Sequence, residues 1–213
     1  MKCTICPREC GGDRTTAGGV CHSGVLPKLA RAALHYGEEP CISGNNGSGT
    51  VFFSGCSLGC VFCQNHGISH GGFGKEVSVQ RLAEIFSELE ALGANNINLV
   101  NPTHFVAQIL QALKLYRPSI PVVYNCGGYE KVQTLKSLEG WVDVYLPDIK
   151  YADAQLALRF SGAENYPETA FAAVEEMLRQ TGNIVLNENG IAVRRIERSG
   201  LSLEALFMEV TGR

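Results

Sequence analysis

Between Thr50 and Lys150 the chain repeats one pattern: a short apolar run, a turn rich in glycine, proline or cysteine, then an amphipathic stretch. The runs are TVFFS (50–54), INLVN (97–101), PVVYN (121–125) and VDVYLPDIK (142–150). Runs this short, largely apolar and β-branched, read as strands covered on both faces. The intervening stretch 78–93 puts Val79, Leu82, Ile85, Phe86, Leu89 and Leu92 on one helical stripe, with Gly93 as its stop. Residues 104–116 read as a second helix ended before Pro118, and 130–140, 152–160 and 167–181 as further helices. Residues 183–187 and 191–196 are short strand candidates, followed by a helical tail. Strands alternating with helices over short links call for right-handed crossovers and a parallel sheet. The predicted class is α/β, with a partial or complete β/α barrel as its architecture.

In such barrels the chemistry sits at the C-terminal ends of the strands. Here the loop GCSLGCVFCQN (55–65), then NPTH (101–104), NCGGY (125–129) and PDIK (147–150), each follow a strand. Segments far apart in sequence are thereby predicted to meet at one mouth.

Composition limits what that mouth can do. The 213 residues carry a net charge of −3 and no basic block, which disfavours bulk capture of nucleic acid or of an anionic membrane. No apolar run approaches the roughly 20 residues of a membrane span, and the N-terminus MKCTICPREC has no apolar signal core. The expected location is cytoplasmic. In a reducing cytosol the nine cysteines read as metal ligands or redox groups rather than a disulfide framework. The expected organisation is a Cys-rich metal-binding segment at 1–24, a linker or pre-barrel segment at 25–49, and the barrel at 50–213.

Cys56, Cys60 and Cys63 form a C-x-x-x-C-x-x-C loop. Three thiolates suit a metal centre with one position left open, either an iron–sulfur cluster or a zinc site completed by His66 or His70. Cys3, Cys6, Cys10 and Cys21 supply four thiolates, enough for a closed zinc site or a second iron–sulfur cluster, with His22 as an alternative ligand. A segment of about 20 residues buries too little surface to hold its shape without such a staple. Cys41 and Cys126 read as packed thiols.

The loop resembles the signature of the radical S-adenosylmethionine superfamily, C-x-x-x-C-x-aromatic-C, with Phe62 as the aromatic. More closely, residues 1 to about 190 resemble a pyruvate formate-lyase-activating-enzyme-like branch. That likeness rests on CTICPREC, the stretch from RAALHYGEEPCISG to SGTVFFSGC, the three-cysteine loop, NINLVNPTH, VVYNCGGYE and VDVYLPDIKY. The resemblance implies a partial TIM-like barrel and a [4Fe-4S] cluster on Cys56, Cys60 and Cys63. It implies S-adenosylmethionine bound at the fourth iron and cleaved reductively to a 5′-deoxyadenosyl radical that takes hydrogen from substrate, as in activating enzymes that act on a glycine of a partner. It assigns the cofactor to the backbone at Phe62, to Asn125, and to the Asp148–Lys150 pair. It also implies a one-electron donor of the flavodoxin or ferredoxin type.

Two places depart from the family pattern. NPTH stands where a Gly-Gly-Glu stretch usually receives the cofactor amino group, so Thr103 or a backbone carbonyl is expected to take over, with His104 as a further candidate. VRRIERSG puts Arg195 where a histidine is usual, and the chain reaches Arg213 several strands early, as a short form would. The alternative reading is a non-catalytic zinc or iron–sulfur protein, or a truncated inactive relative.

Overall fold

The structure is a computed structural model, which describes residues 2–182 and the backbone of 184–186 and 192–194. Its main sheet has six strands: β1 (Lys28–His35), β2 (Ser48–Phe53), β3 (Lys75–Glu76), β4 (Ile97–Val100), β5 (Val122–Cys126) and β6 (Val144–Pro147). Their order across the sheet is β3-β1-β2-β4-β5-β6. β2, β4, β5 and β6 are parallel, and each adds to the same side of the one before. Between them run α3 (Val79–Ala91), α4 (Val106–Leu115) and the short α5 (Val132–Lys136). Right-handed crossovers that always step the same way put every connecting helix on one face. The result is an open sector of a β/α barrel. α6 (Ala154–Ser161) and α7 (Tyr166–Thr181) follow β6. The short α1 (Pro40–Ser43) and α2 (His66–Ser69) lie in the loops before and after β2.

The pleat sorts the strand side chains into two sets. Val51, Leu99, Tyr124 and Tyr145 are register neighbours, and they pack against the helices with Leu82, Phe86, Ile109 and Leu113. The next residues along, Phe52, Val100, Asn125 and Leu146, are also register neighbours. They form a layer on the opposite, concave face, where they line a cavity.

α3 forms for the reasons its sequence gives. The Ser78 hydroxyl accepts from the Arg81 amide at 3.0 Å, which caps the first turn. Leu82, Ile85, Phe86 and Leu89 are buried, and Gly93 ends the helix with φ +83°.

Segment 25–49 contributes more than a connection. β1 runs antiparallel to β2 from Leu29 to His35, with a bulge between Leu29 and Arg31, and so extends the sheet beyond its first parallel strand. LARAALH is largely apolar but has no clear two-residue alternation to announce this strand. Ile184–Leu186 and Ala192–Arg194, β7 and β8, pair with each other as an antiparallel ribbon, and among the described residues they are not paired with the six-stranded sheet. Arg195 and the tail lie outside the described residues.

The helix-side layer sets the stability. Phe86→Ala, at a site with no exposure, should cost about 3–5 kcal/mol. Leu92→Ala, at a site 65% exposed, should change stability by less than about 0.5 kcal/mol. Urea unfolding of both variants checks the assignment; equal losses would contradict it.

Candidate active site

The three-cysteine loop leaves β2 through Gly55, which has φ +84°. A Cβ there would lie 2.4 Å from the Cys21 carbonyl oxygen and 2.5 Å from the Ser23 hydroxyl, so only glycine lets the N-terminal segment close over this turn. The next strand end pins the loop. The Asn101 amide donates to the Gly55 carbonyl, and His104 Nε2 lies 2.7 Å from the Ser54 carbonyl. Asn101 itself takes φ +56°, a conformation that asparagine tolerates better than most residues.

Within the loop, Cys56 Sγ accepts the backbone N–H groups of Leu58 and Gly59 at 3.4 Å each. Cys63 Sγ accepts the Ser69 hydroxyl at 3.3 Å. Such donors stabilise negative charge on sulfur, as a ligating thiolate requires. His66 and His70 stack on each other at 4.5 Å. Among the described residues no three His, Cys, Asp or Glu side chains are gathered round one ion-sized position.

The mouth is a cavity of about 950 Å³. Cys56, Cys60 and Cys63 line it, and so do Thr103, Asn125, Asp148 and Lys150. Asp148 and Lys150 pair with each other on the rim. Tyr166 braces this strand end: its hydroxyl accepts from the Lys150 amide and donates to the Gly127 carbonyl, both at 2.7 Å. Gly128, with φ +74°, needs its glycine to make the turn, and its absent Cβ would come within 3.1 Å of that hydroxyl. Phe62 is not part of the lining. Its ring is exposed and meets Tyr151 and Phe160 edge-on. Beneath the cavity-side layer, Asn98 is fully buried with neither amide atom hydrogen-bonded.

The residue that sequence reasoning missed is Glu130. It lines the cavity, is 1% exposed, and belongs to no ion pair among the described residues. The Thr103 hydroxyl donates to one of its oxygens and the Tyr124 hydroxyl to the other, at 3.0 Å. Burial pushes its carboxyl up to about 7. Thr103 or a backbone carbonyl is the expected substitute for the missing Gly-Gly-Glu stretch, and the Thr103 hydroxyl is engaged with Glu130. The signal lay in GGYE, an acid in the turn after a barrel strand.

His104 is fully buried, and burial pulls it down to about 4. The neutral ring must carry its proton on Nε2 to donate to Ser54, and Nδ1 has no partner. It is a strut between two strand-end loops rather than a ligand. Cys126 is buried, and desolvation pushes its thiol well up, so it packs as a small hydrophobe. Cys41, expected to be packed, is exposed: the one-turn helix that carries it buries the next two residues, Ile42 and Ser43, instead.

In the N-terminal segment, Cys3 exchanges backbone hydrogen bonds with Gly11 and Gly12 at 3.1 and 3.2 Å. Cys6 and Cys21 are buried and Cys10 is exposed. Burial pushes the Cys6 thiol up to about 11, whereas the Val20 and Gly12 amides lower that of Cys10. A Cβ on Gly19 would lie 3.4 Å from Cys10 Sγ and 3.9 Å from Cys21 Sγ. Glu9, Ala17 and His22 all have positive φ, so this short segment holds unfavourable backbone that its surroundings must impose.

Glu130 and His104 give the fold opposite pH dependences. Glu130 rises from 4.5 to about 7 on folding, so its contribution is present below pH 4.5 and lost as pH rises through 7. His104 falls from 6.5 to about 4, so stability is lost as pH falls through that window, where only the unfolded ring takes a proton. Each effect amounts to roughly 3 kcal/mol across its window. Relative to wild type, Glu130→Gln should lose stability as pH falls from 7 to 4.5, and His104→Gln should gain it. Urea midpoints across that range check this; profiles parallel to wild type would contradict it.

Comparison with known proteins agrees with this geometry. Residues 50–191 match the model of the radical SAM superfamily. The chain is 33% identical over 174 residues to an uncharacterized protein of Methanocaldococcus jannaschii, a match that takes in 78% of this chain and 50% of that relative. The chain therefore spans about half the relative's length. Among the described residues no helix is long and apolar enough to cross a membrane. A family match that takes in most of β2, its cysteine loop, and β4, β5 and β6 with their polar ends leaves one conclusion: the chain belongs to the radical SAM superfamily.

Proposed function

We propose that this chain carries the catalytic core of a hydrogen-abstracting radical SAM enzyme. The observation that supports it most is that three cysteines, two of them with donors aimed at their sulfurs, share one cavity with the polar ends of three further strands. Cys56, Cys60 and Cys63 would hold a [4Fe-4S] cluster, and the hydrogen-bonded sulfurs of Cys56 and Cys63 fit that group. Bound together, the reduced cluster and S-adenosylmethionine supply one-electron cleavage of a carbon–sulfur bond and hence hydrogen abstraction.

The chain's own residues bind, orient and exclude water. Lys150 would pair with the cofactor carboxylate while Asp148 orients it. Glu130, buried without a cation, would accept the cofactor ammonium, with Thr103 and Tyr124 fixing its carboxyl. Asn125 would hold the cofactor beside Glu38, to which its amide donates at 3.5 Å. The loop backbone at Phe62 would meet the adenine. Phe52, Val100 and Leu146 give the cavity an apolar floor.

The reading requires a one-electron donor of the flavodoxin or ferredoxin type, and exposed Val61 and Phe62 leave the cysteine loop open to one. A glycine of a partner enzyme is the substrate class that the activating-enzyme resemblance suggests. Cys3, Cys6, Cys10 and Cys21 would form a second, closed thiolate centre, zinc or iron–sulfur, which the strained N-terminal backbone favours.

Anaerobically reconstituted protein with dithionite and S-adenosylmethionine should form 5′-deoxyadenosine. Cys56→Ala should abolish it, and Glu130→Gln should lower it at least tenfold at limiting cofactor. Turnover that survives Cys56→Ala would reject the cluster assignment. Colourless protein holding zinc and no iron would favour the non-catalytic alternative.

A further inference from the structure

Arg8 lies between Cys6 and Cys10, outside the barrel, yet its guanidinium reaches into the three-cysteine loop. Its Nε donates to the Ser57 carbonyl and its Nη2 to the Leu58 carbonyl, both at 2.8 Å. The same group donates to the Ser161 and Gly162 carbonyls at the end of α6, and it faces the Tyr129 ring at 5.5 Å. Among the described residues it makes no ion pair, so no carboxylate compensates its charge.

The two loop carbonyls belong to particular peptide groups. The peptide with the Ser57 carbonyl has the Leu58 N–H at its other end, and the peptide with the Leu58 carbonyl has the Gly59 N–H. Those are the two N–H groups that donate to Cys56 Sγ. Two consecutive peptides therefore each accept from Arg8 on one side and donate to Cys56 on the other. A cation at the carbonyl end polarises each peptide and strengthens its N–H as a donor. Hydrogen bonds to sulfur and nearby net charge are what set the potential of an iron–sulfur cluster.

We propose that Arg8 is a positioning and tuning residue for the cluster: through the Ser57–Leu58 and Leu58–Gly59 peptides it stabilises negative charge at Cys56 and so raises the cluster's reduction potential. This rests on the reading that Cys56 ligates a [4Fe-4S] cluster. It also gives the N-terminal segment a task in the chemistry, since that segment carries the cation. Reduction adds one electron to the cluster and increases the charge on its sulfurs, so the reduced state gains more from the polarised donors than the oxidised state does.

The test is a redox titration of the anaerobically reconstituted full chain, followed by electron paramagnetic resonance without S-adenosylmethionine. Arg8→Gln should make reduction at least tenfold less favourable, a shift of 59 mV to lower potential for one electron. Arg8→Lys offers one ammonium to two carbonyls and should fall between Arg8→Gln and wild type. A merely structural role would lower iron content and leave the potential of the assembled fraction unchanged, and that result would overturn the proposal. If Arg8→Gln assembles no cluster, Arg8→Lys decides, and a potential equal to wild type would overturn it. Wild-type protein that assembles no four-iron cluster would instead overturn the reading beneath, and the proposal with it.

Discussion

Alternation along four parallel strands is the constraint from which the rest follows. Each strand turns one residue toward the helices and the next toward the concave face. Val51, Leu99 and Tyr124 have no exposure, and their packing against α3 and α4 fixes the curvature and register of the sheet. With register fixed, Phe52, Val100, Asn125 and Leu146 fall into one layer on the other side. The loops that follow that layer have to open over a common space. Apolar packing on one face thus decides where the polar groups meet on the other.

The site is then built by loops that hold one another. Asn101 and His104 fasten the cysteine loop from the neighbouring strand end, Cys21 and Ser23 close against Gly55, and Arg8 binds the loop to α6. Most of these polar contacts are partly or fully buried, where an unmade hydrogen bond costs more than the made one gains. That asymmetry specifies the loop geometry more sharply than apolar packing would. It also explains why a fully buried histidine serves here as a neutral strut. Glu130 is the exception, a carboxyl buried among neutral donors with no ion-pair partner among the described residues. A group so placed holds its proton more tightly than an exposed carboxyl, and a positively charged ligand would favour its ionised form.

Much of this was legible in the sequence, because periodicity and loop position carry it. The parallel strands, α3 with its Gly93 stop, and the meeting of the cysteine loop with NPTH, NCGGY and PDIK all follow from local patterns. β1 was not legible, because KLARAALH lacks a clear two-residue alternation and its pairing with β2 is made across an intervening loop. The roles of Thr103 and Glu130 were not legible either. Whether a threonine hydroxyl faces a ligand or a buried acid depends on how two adjacent strand ends are juxtaposed, and no spacing rule encodes that. The same holds for Arg8, whose partners lie about 50 and 150 residues away. The sequence singles out the cysteines, but not the arginine that reaches their loop from the N-terminal segment.

The central claim is that the strand-end cavity places S-adenosylmethionine directly against the cluster on Cys56, Cys60 and Cys63. Electron–nuclear double resonance of the reduced, reconstituted protein tests it most directly, with the cofactor labelled at its amino nitrogen and its carboxylate. The account predicts hyperfine coupling of both labels to the cluster, with the nitrogen coupling weakened in Glu130→Gln. A well-formed cluster signal with no coupling to either label would contradict it.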